Sequence, residues 1–218
     1  MIISRGRGYI FVHIPKTGGT SLARALEDRA MKDDILLGDT PKARKRRGRV
    51  KGTPTRGRLW KHSTLADIDG LVSREEVAQM FNFTLVRNPW DRAVSYYHWL
   101  RTQTFDHPAV DLAKSLAFDG FLRRPETQAA MQHRPVASYM RDASGIERCS
   151  CYIRLEHFAT DAAPLFAHLG FEVTLPHDNR SERDADYRSY YSDALCDIVA
   201  NCCAEDIERF GYRFDPNT

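Results

Sequence analysis

The feature that most constrains this chain is the segment YIFVHIPKTGGTSLARAL near its N-terminus. Its apolar run Tyr9–Ile14 predicts a buried strand, and Ser21–Ala30 predicts a helix. A glycine turn between a strand and a helix places backbone N–H groups at the helix N-terminus, where the helix dipole favours anions. Lys16 precedes Gly18 and Gly19, whereas in the nucleotide-hydrolase loop the lysine follows the glycines. The segment therefore predicts an anion-binding turn of a different kind.

Two further apolar runs extend this strand–helix pattern. Phe81–Val86 predicts a second strand, and the next helix should start at Asn88, which can act as N-cap with Pro89 in the first helical position. Cys151–Leu155 predicts a third strand. Short apolar strands alternating with helices indicate a P-loop-like α/β fold, with a central parallel sheet flanked by helices. The length suits one domain, which we predict to span residues 1–218.

Positive charge is concentrated in one segment. The formal net charge is +3, and Lys42–Arg58 contains nine lysines or arginines and no acid, so the rest of the chain carries −6. Because residues 32–58 show no hydrophobic periodicity, we predict a basic, flexible loop there. Two interpretations stay open for this basic segment: a solvated loop, or an arm that recruits an anionic acceptor or closes over a bound cofactor.

The apolar runs indicate where the protein resides, and the cysteines indicate whether it contains disulfides or zinc. No apolar run approaches the roughly 18 residues of a membrane span, and the N-terminus lacks a signal-peptide layout. We therefore expect a cytoplasmic protein, or a chain separated from an anchor. An odd number of cysteines in close pairs does not suggest a disulfide framework, and their C-x-C and C-C spacings do not suggest zinc. They are Cys149, Cys151, Cys196, Cys202 and Cys203.

The end of the second strand discriminates between reaction types. A nucleoside triphosphatase needs an aspartate at a strand end to organise magnesium. Here the strand FNFTLV is followed by Arg87 and Asn88, which suit an anion rather than a cation. Ser95 lies about two turns into the following helix and could hold the same anion as Arg87. Two anion sites without a metal-binding strand end predict a nucleotide with two separated phosphate groups.

The residues at both predicted anion sites resemble a known family. HIPKTGGTSL and LVRNPWDRAVSYY are similar to the two cofactor-binding motifs of sulfotransferases, particularly the carbohydrate-type, family 2 branch. The stretches YIRLEHFATDAAPLFAHLG and HDNRSERDADYRSYYSDAL are also similar, so the resemblance covers most of the chain but not Met31–Arg58. It implies that 3′-phosphoadenylyl sulfate (PAPS) is the co-substrate, and that a sulfuryl group passes to a hydroxyl with release of adenosine 3′,5′-bisphosphate (PAP).

The resemblance also implies roles for individual residues. Arg87 and Ser95 should hold the 3′-phosphate of PAPS. The first motif should hold the 5′-phosphosulfate through Pro15, Lys16, Thr17, Gly18, Gly19, Thr20 and Ser21. Lys16 suits stabilisation of the leaving phosphate oxygen, and the N–H groups of Thr17–Ser21 suit the sulfate oxygens. A histidine between the two motifs often acts as the base in this branch, which favours His62 in LWKHSTL.

Other residues compete for the role of base or for contact with the nucleotide. Glu75 and Glu76 are possible bases, but both have the character of helix-start acids. His13 directly precedes the first motif, where the strand is expected to point its side chain into the core. The polar loop that contains Asn179, Ser181 and Arg183 could either close over the nucleotide or be solvated.

Three functions stay open on these patterns. The leading prediction is metal-independent sulfuryl transfer from PAPS to a hydroxyl of a saccharide or anionic glycan. The first alternative, an unusual P-loop kinase, would depend on magnesium. The second is a non-enzymatic protein that binds polyanions or nucleic acid, with salt-dependent binding and no turnover. Nucleic acid is less favoured, because the aromatic residues of WDRAVSYYHWLR recur at helical spacing and so predict a core-facing stripe rather than base stacking.

Overall fold

The computed structural model describes residues 1–175 and 183–215. The strands in this part of the chain are β1 (Ile2–Ser4), β2 (Tyr9–Val12), β3 (Ile35–Leu36), β4 (Phe81–Val86) and β5 (Cys151–Arg154). The α-helices are α1 (Gly19–Glu27), α2 (Pro41–Arg46), α3 (Arg74–Gln79), α4 (Pro89–Arg101), α5 (Pro108–Ser115), α6 (Phe118–Arg123), α7 (Pro125–Gln132), α8 (Val136–Tyr139), α9 (Phe158–Asp161), α10 (Ala163–Leu169), α11 (Asp193–Cys202) and α12 (Ala204–Phe210). Short 3₁₀ helices are formed by Arg47–Val50, Leu155–His157 and Tyr187–Tyr190.

The chain forms two compact units. Unit 1 comprises Met1–Val86 and Val136–Asp178, and unit 2 comprises Arg87–Pro135 and Asn179–Thr218. All five strands belong to unit 1, whereas the elements described in unit 2 are helices.

The sheet of unit 1 has the strand order β3-β1-β2-β4-β5. Strands β2, β4 and β5 are parallel, which confirms the predicted central parallel sheet. Strand β1 pairs antiparallel with both β2 and β3, and neither β1 nor β3 was predicted. With three and two residues, these strands are too short to show a period in the sequence. The carboxyl ends of β2 and β5 lie at one edge of the sheet, where α/β proteins bind ligands.

Both faces of β2 and β4 are buried, which explains why these two strands read as mostly apolar runs. On one face, Phe11, Phe83 and Ile153 pack with Leu22 of α1 and Leu165 of α10. The alternate side chains of β2 and β4 point to the other face and are also buried. Each such large apolar side chain contributes about 1.5–3 kcal/mol when it is fully buried.

The prediction of a loop without regular structure over residues 32–58 was wrong. Strand β3, helix α2 and the 3₁₀ helix Arg47–Val50 lie within this stretch. Helix α2 starts because Thr40 accepts a hydrogen bond from the backbone N–H of Ala43 at 3.1 Å and because Pro41 occupies the first helical position. The side chain of Ala43 is fully buried, so α2 packs on the hydrophobic core of unit 1. The dense charge of this stretch concealed the Thr-Pro start signal.

In unit 2, helix α4 begins at Pro89 with Asn88 as its N-cap, as predicted. One face of this helix is buried and includes Trp90, Ala93, Val94 and Tyr97. They pack in one cluster with buried side chains of α5, α6 and α11. The interpretation of the aromatic stretch as a core-facing stripe is therefore confirmed.

Three further findings concern cysteines, metals and membranes. All five cysteines are free thiols. Within residues 1–175 and 183–215, no group of three or more His, Cys, Asp or Glu side chains is arranged to hold a metal ion. In the same part of the chain, no helix combines the length and the apolar character needed to cross a membrane.

Candidate functional site

The turn between β2 and α1 has an unusual backbone. Lys16 has a φ of 67° and Gly18 a φ of 84°, so both adopt the left-handed conformation. For a lysine this conformation costs roughly 1–2 kcal/mol, and such strain persists only where surrounding contacts hold it. One such contact is the hydrogen bond from the Thr17 hydroxyl to the carbonyl oxygen of Ile14, 2.9 Å long and buried. The hydroxyl hydrogen of Thr17 is thus committed to the turn.

The N-terminus of α1 lacks a side-chain cap. Gly18 is the N-cap residue and makes no side-chain hydrogen bond, whereas Thr40 and Ser73 cap α2 and α3. The first N–H groups of a helix have no partner within the helix and carry a partial positive charge of about half an elementary charge. Thr20 is exposed and Ser21 is half-buried in this first turn. The end of α1 therefore offers backbone and hydroxyl donors to an anion.

Gly19 is required by a contact inside the protein, whereas Gly18 is required chiefly by its φ of 84°. A Cβ atom on Gly19 would lie 2.2 Å from Cδ2 of His13, and one on Gly18 would lie 2.8 Å from Cδ1 of Leu155. A separation of 2.2 Å is too short for two carbon atoms that are not bonded, so no side chain fits at position 19 while His13 keeps its place. The imidazole of His13 therefore packs directly against the first residue of α1.

His62 and His13 form a pair beside this turn. Nδ1 of His62 lies 2.7 Å from the carbonyl oxygen of His13, and the two rings meet edge to face with centroids 4.6 Å apart. Because a carbonyl oxygen only accepts, we assign the hydrogen of His62 to Nδ1, which leaves the Nε2 lone pair available. His13 is 6% exposed, in agreement with its predicted place in the core.

Burial keeps both imidazoles neutral at pH 7. It lowers the pKa of His62 to about 4, although the hydrogen bond to the carbonyl of His13 acts in the opposite direction. The positive charge of Lys61 adds to the lowering. Burial also lowers the pKa of His13 well below its ordinary value. A neutral imidazole with a free Nε2 can accept a proton from a hydroxyl group.

The competing carboxylates have structural roles. Glu76 forms a capping box with Ser73 at the start of α3, and its carboxylate pairs with Arg5 at 2.7 Å. Glu75 is the other acid in the first turn of this helix. Both therefore have the helix-start character that the sequence suggested.

In unit 2, the residue after β4 belongs to a charged cluster. Arg87 donates from Nε and Nη2 to Oδ2 of Asp91, at 2.8 and 2.6 Å, and Arg183 donates from Nη2 to Oδ1 at 2.6 Å. These side chains are between 12% and 17% exposed. Two guanidinium groups share one carboxylate, and Nη1 of Arg183 is buried without a hydrogen-bond partner among the described residues. A buried guanidinium nitrogen without a partner in the described part of the chain, such as Nη1 of Arg183, favours an anion as a ligand.

Sequence reasoning missed the ionic role of Asp91 in this cluster. The spacing of Arg87 and Asp91, four residues apart at the start of a helix, was a usable signal. Arg183 is 92 residues from Asp91, and no local pattern connects them. Ser95, the other predicted phosphate ligand, lies in α4 and is 6% exposed. The predicted loop residues Asn179 and Ser181 lie outside the described residues.

Comparisons with known proteins give one family and one related fold. The sequence model of the sulfotransferase family matches residues 1–213. The structure is similar to a crystal structure of mouse sulfotransferase SULT7A1 complexed with PAP, with a TM-score of 0.55 and 16% sequence identity over 94% of this chain and 86% of that chain. At this identity the similarity concerns the fold, and it confirms the predicted P-loop-like α/β fold. No curated protein is similar enough in sequence to count as a relative.

Proposed function

This chain belongs to the sulfotransferase family, and from that premise we propose that it transfers the sulfuryl group of PAPS to a hydroxyl of a saccharide or anionic glycan and releases PAP. The observation that carries the proposal is the position of His13. Its ring contacts both Gly19 and the ring of His62, so the uncapped N-terminus of α1 and a neutral imidazole lie close together in unit 1.

The turn before α1 suits the 5′-phosphosulfate of PAPS. We assign this group to Pro15, Lys16, Thr17, Gly18, Gly19, Thr20 and Ser21. The N–H groups at the start of α1 would bind the sulfate oxygens, together with the hydroxyls of Thr20 and Ser21. Because the Thr17 hydroxyl donates to Ile14, Thr17 is expected to contribute its backbone rather than its side chain. This assignment uses the donors that the uncapped helix leaves for a ligand.

The reaction needs one proton acceptor and one group that stabilises the leaving oxygen. Nε2 of His62 would take the proton of the acceptor hydroxyl while the hydroxyl oxygen forms a bond to sulfur. The bond from sulfur to the bridging phosphate oxygen breaks, and its electron pair stays on PAP. Lys16 would stabilise the charge that develops on that oxygen, which lowers the barrier more than it strengthens ground-state binding.

For the 3′-phosphate we retain Arg87 and Ser95 as ligands. The carboxylate of Asp91 supports this assignment, because it accepts from both Nε and Nη2 of Arg87 and so holds the guanidinium in one orientation. The family match spans both units, which supports a single sulfotransferase domain. The end of β4 carries Arg87 rather than an aspartate that could organise magnesium. Arginine and lysine side chains would instead neutralise the negative charge of PAPS, which supports a reaction without a divalent metal.

The test combines binding and turnover. Calorimetry should show that PAP binds, and ³⁵S-labelled PAPS should give a sulfated product with a hydroxyl acceptor, in EDTA as well as in magnesium. Magnesium-dependent phosphate transfer from ATP would replace the proposal with a kinase. Salt-dependent binding of polyanions by a chain that does not bind PAP would replace it with a binding protein.

A further inference from the structure

We propose that Arg58 and Trp60 form an acceptor subsite that holds a sugar ring of an anionic saccharide beside His62. The inference rests on the proposed function and names the residues that select its acceptor. Trp60 is a large apolar residue that is 38% exposed, and its ring meets the ring of His62 edge to face at 4.9 Å. A molecule that brings a hydroxyl to His62 therefore passes next to an exposed indole.

The loop that carries these residues is held by a buried serine. Ser63 is fully buried, and its hydroxyl accepts from the N–H of Trp60 at 2.9 Å. The same hydroxyl lies 2.8 Å from the carbonyl oxygen of Arg58 and 2.9 Å from that of Trp60, and these two acceptors share its one hydrogen. One side chain thus fixes the turn from which Arg58, Trp60 and His62 project. A rigid turn binds a ligand with a smaller loss of conformational entropy.

The residues before this turn are also attached to unit 1. The N–H of Arg56 donates to the carbonyl of Asp69 at 2.9 Å, and the N–H of Gly57 donates to the carbonyl of Asp67 at 3.1 Å. A Cβ atom on Gly57 would lie 2.0 Å from Oδ1 of Asp67, so the two segments are in close contact. The C-terminal end of the basic segment is therefore anchored beside His62.

The charge next to the indole indicates an anionic ligand. The guanidinium of Arg58 lies over the ring of Trp60, 5.6 Å from its centroid, and the side chain is exposed. Within residues 1–175 and 183–215, no carboxylate forms an ion pair with Arg58, whereas the neighbouring Lys61 pairs with Asp39 at 2.8 Å. An exposed arginine beside an aromatic face can bind a carboxylate or sulfate group of a ligand that packs on the ring.

A pyranose ring combines the three properties that this site requires. Its C–H face packs on an aromatic ring, its hydroxyls can reach Nε2 of His62, and a uronate or sulfate substituent can reach Arg58. A nucleobase could also stack on Trp60 beside an arginine, but the base itself offers no hydroxyl to His62. A phenol offers a hydroxyl but no group for Arg58. The saccharide is therefore the ligand that uses all three side chains.

The test measures saccharide binding to the PAP complex by calorimetry, with a glucuronate-containing disaccharide, lactose and 4-nitrophenol as probes. Trp60→Ala should lower the affinity for both disaccharides about ten-fold, which corresponds to about 1.4 kcal/mol of binding free energy. Trp60→Phe should keep most of the affinity. Arg58→Gln should lower the affinity for the glucuronate disaccharide about ten-fold and leave the affinity for lactose unchanged. It should also reduce the salt dependence of glucuronate binding. The controls are Phe105→Ala, at another exposed aromatic residue, and Lys114→Gln, at another exposed cation; both should bind like the wild type.

The outcomes separate this inference from the proposed function. If PAP binds and a product is sulfated but Trp60→Ala and Arg58→Gln bind both disaccharides normally, the subsite is wrong and the function stands. The subsite is also wrong if the wild type binds only 4-nitrophenol, or none of the probes. If PAP does not bind while glucuronate binding still requires Trp60 and Arg58, the subsite is supported and the proposed function fails. Because Arg58 is exposed, its variant keeps the test valid even if Trp60→Ala disturbs the turn.

Discussion

His62 donates its Nδ1 hydrogen to the backbone carbonyl oxygen of His13, 2.7 Å away. The bond fixes the tautomer without a carboxylate, so the ring is held by a neutral partner. Since burial lowers the pKa of His62 to about 4, the free protein should hold this proposed base in the neutral form throughout the range from pH 5 to pH 8.

The first prediction concerns this base. His62→Ala should lower turnover by about 10²–10⁴-fold, the usual contribution of a positioned acid or base, while PAP affinity is kept. The wild-type kcat/KM should decline only as the pH falls toward about 4, rather than near 6.5, because protonation removes the Nε2 lone pair. Steady-state kinetics and calorimetry measure both effects. Near-normal turnover of His62→Ala would assign the base to another residue.

The second prediction concerns stability in acid. His13 and His62 have lowered pKa values when folded and ordinary values near 6.5 when unfolded, so below pH 6.5 the unfolded chain binds more protons. The free energy of unfolding should therefore fall as the pH drops from 6.5 toward 4, with His62 alone contributing roughly 3 kcal/mol. Urea titrations at several pH values measure this slope. His62→Gln should show a shallower slope, and an equal slope would refute the assignment to this histidine.

The third prediction concerns the 3′-phosphate. PAP should bind much more tightly than AMP, because we propose that Arg87 and Ser95 bind the additional phosphate. Arg87→Ala should lower the affinity for PAP by ten-fold or more, since a charged hydrogen bond is worth about 1.5–3 kcal/mol. The affinity for AMP should stay nearly unchanged. AMP is the matched control ligand in the same calorimetric experiment. Equal affinities of the wild type for AMP and PAP would contradict the role of Arg87.

The fourth prediction separates the side chain of Lys16 from its backbone conformation. If Lys16 acts mainly in the transition state, as we propose, Lys16→Ala and Lys16→Gly should both reduce turnover far more than they reduce PAP affinity. Lys16→Gly should be more stable than Lys16→Ala by about 1 kcal/mol, since glycine adopts the φ of 67° without strain. Kinetics and thermal unfolding test the two parts independently. A loss of turnover matched by the loss of PAP affinity would indicate a binding role instead.

The fifth prediction divides the basic segment into two classes of residue. Arg46 donates from Nη1 to the carbonyl oxygens of Met31 and Asp34, at 2.7 and 3.1 Å, so Arg46→Gln should cost about 1 kcal/mol of stability. Arg44, Lys45 and Arg47 are exposed. Their combined replacement by Gln should raise the KM of an anionic acceptor and flatten its salt dependence, with little change in thermal stability. Unaltered acceptor kinetics at low salt would favour the solvated-loop interpretation.

Elements with a strong local signal could be predicted from the sequence. Strand β4 spans Phe81–Val86 as expected, and the helix after it starts where Asn88 and Pro89 predict. The first prediction rests on an apolar run of six residues, and the second on contacts between residues close in the chain, such as the bond from the N–H of Trp90 to the side chain of Asn88. The glycines that end α10 and α12, Gly170 and Gly211, also have the positive φ expected of helix stops.

Contacts between distant residues could not be predicted. The carbonyl of His13 and the ring of His62 are 49 residues apart, and the ion pair of Asp91 with Arg183 joins residues 92 apart. A single sequence shows no pattern for either, because each depends on how complete elements pack. The antiparallel strand β1 was missed for a related reason: three residues gain their strand conformation from pairing with β2 rather than from local propensity.

The contact between His13 and Gly19 sets a rule for redesigning the turn. Because the imidazole occupies the space that a side chain at position 19 would need, Gly19→Ala alone should displace the start of α1. A smaller residue at position 13 would make that space available. Positions 13 and 19 are therefore expected to covary among related chains, and a library that diversifies the turn should mutate the two together.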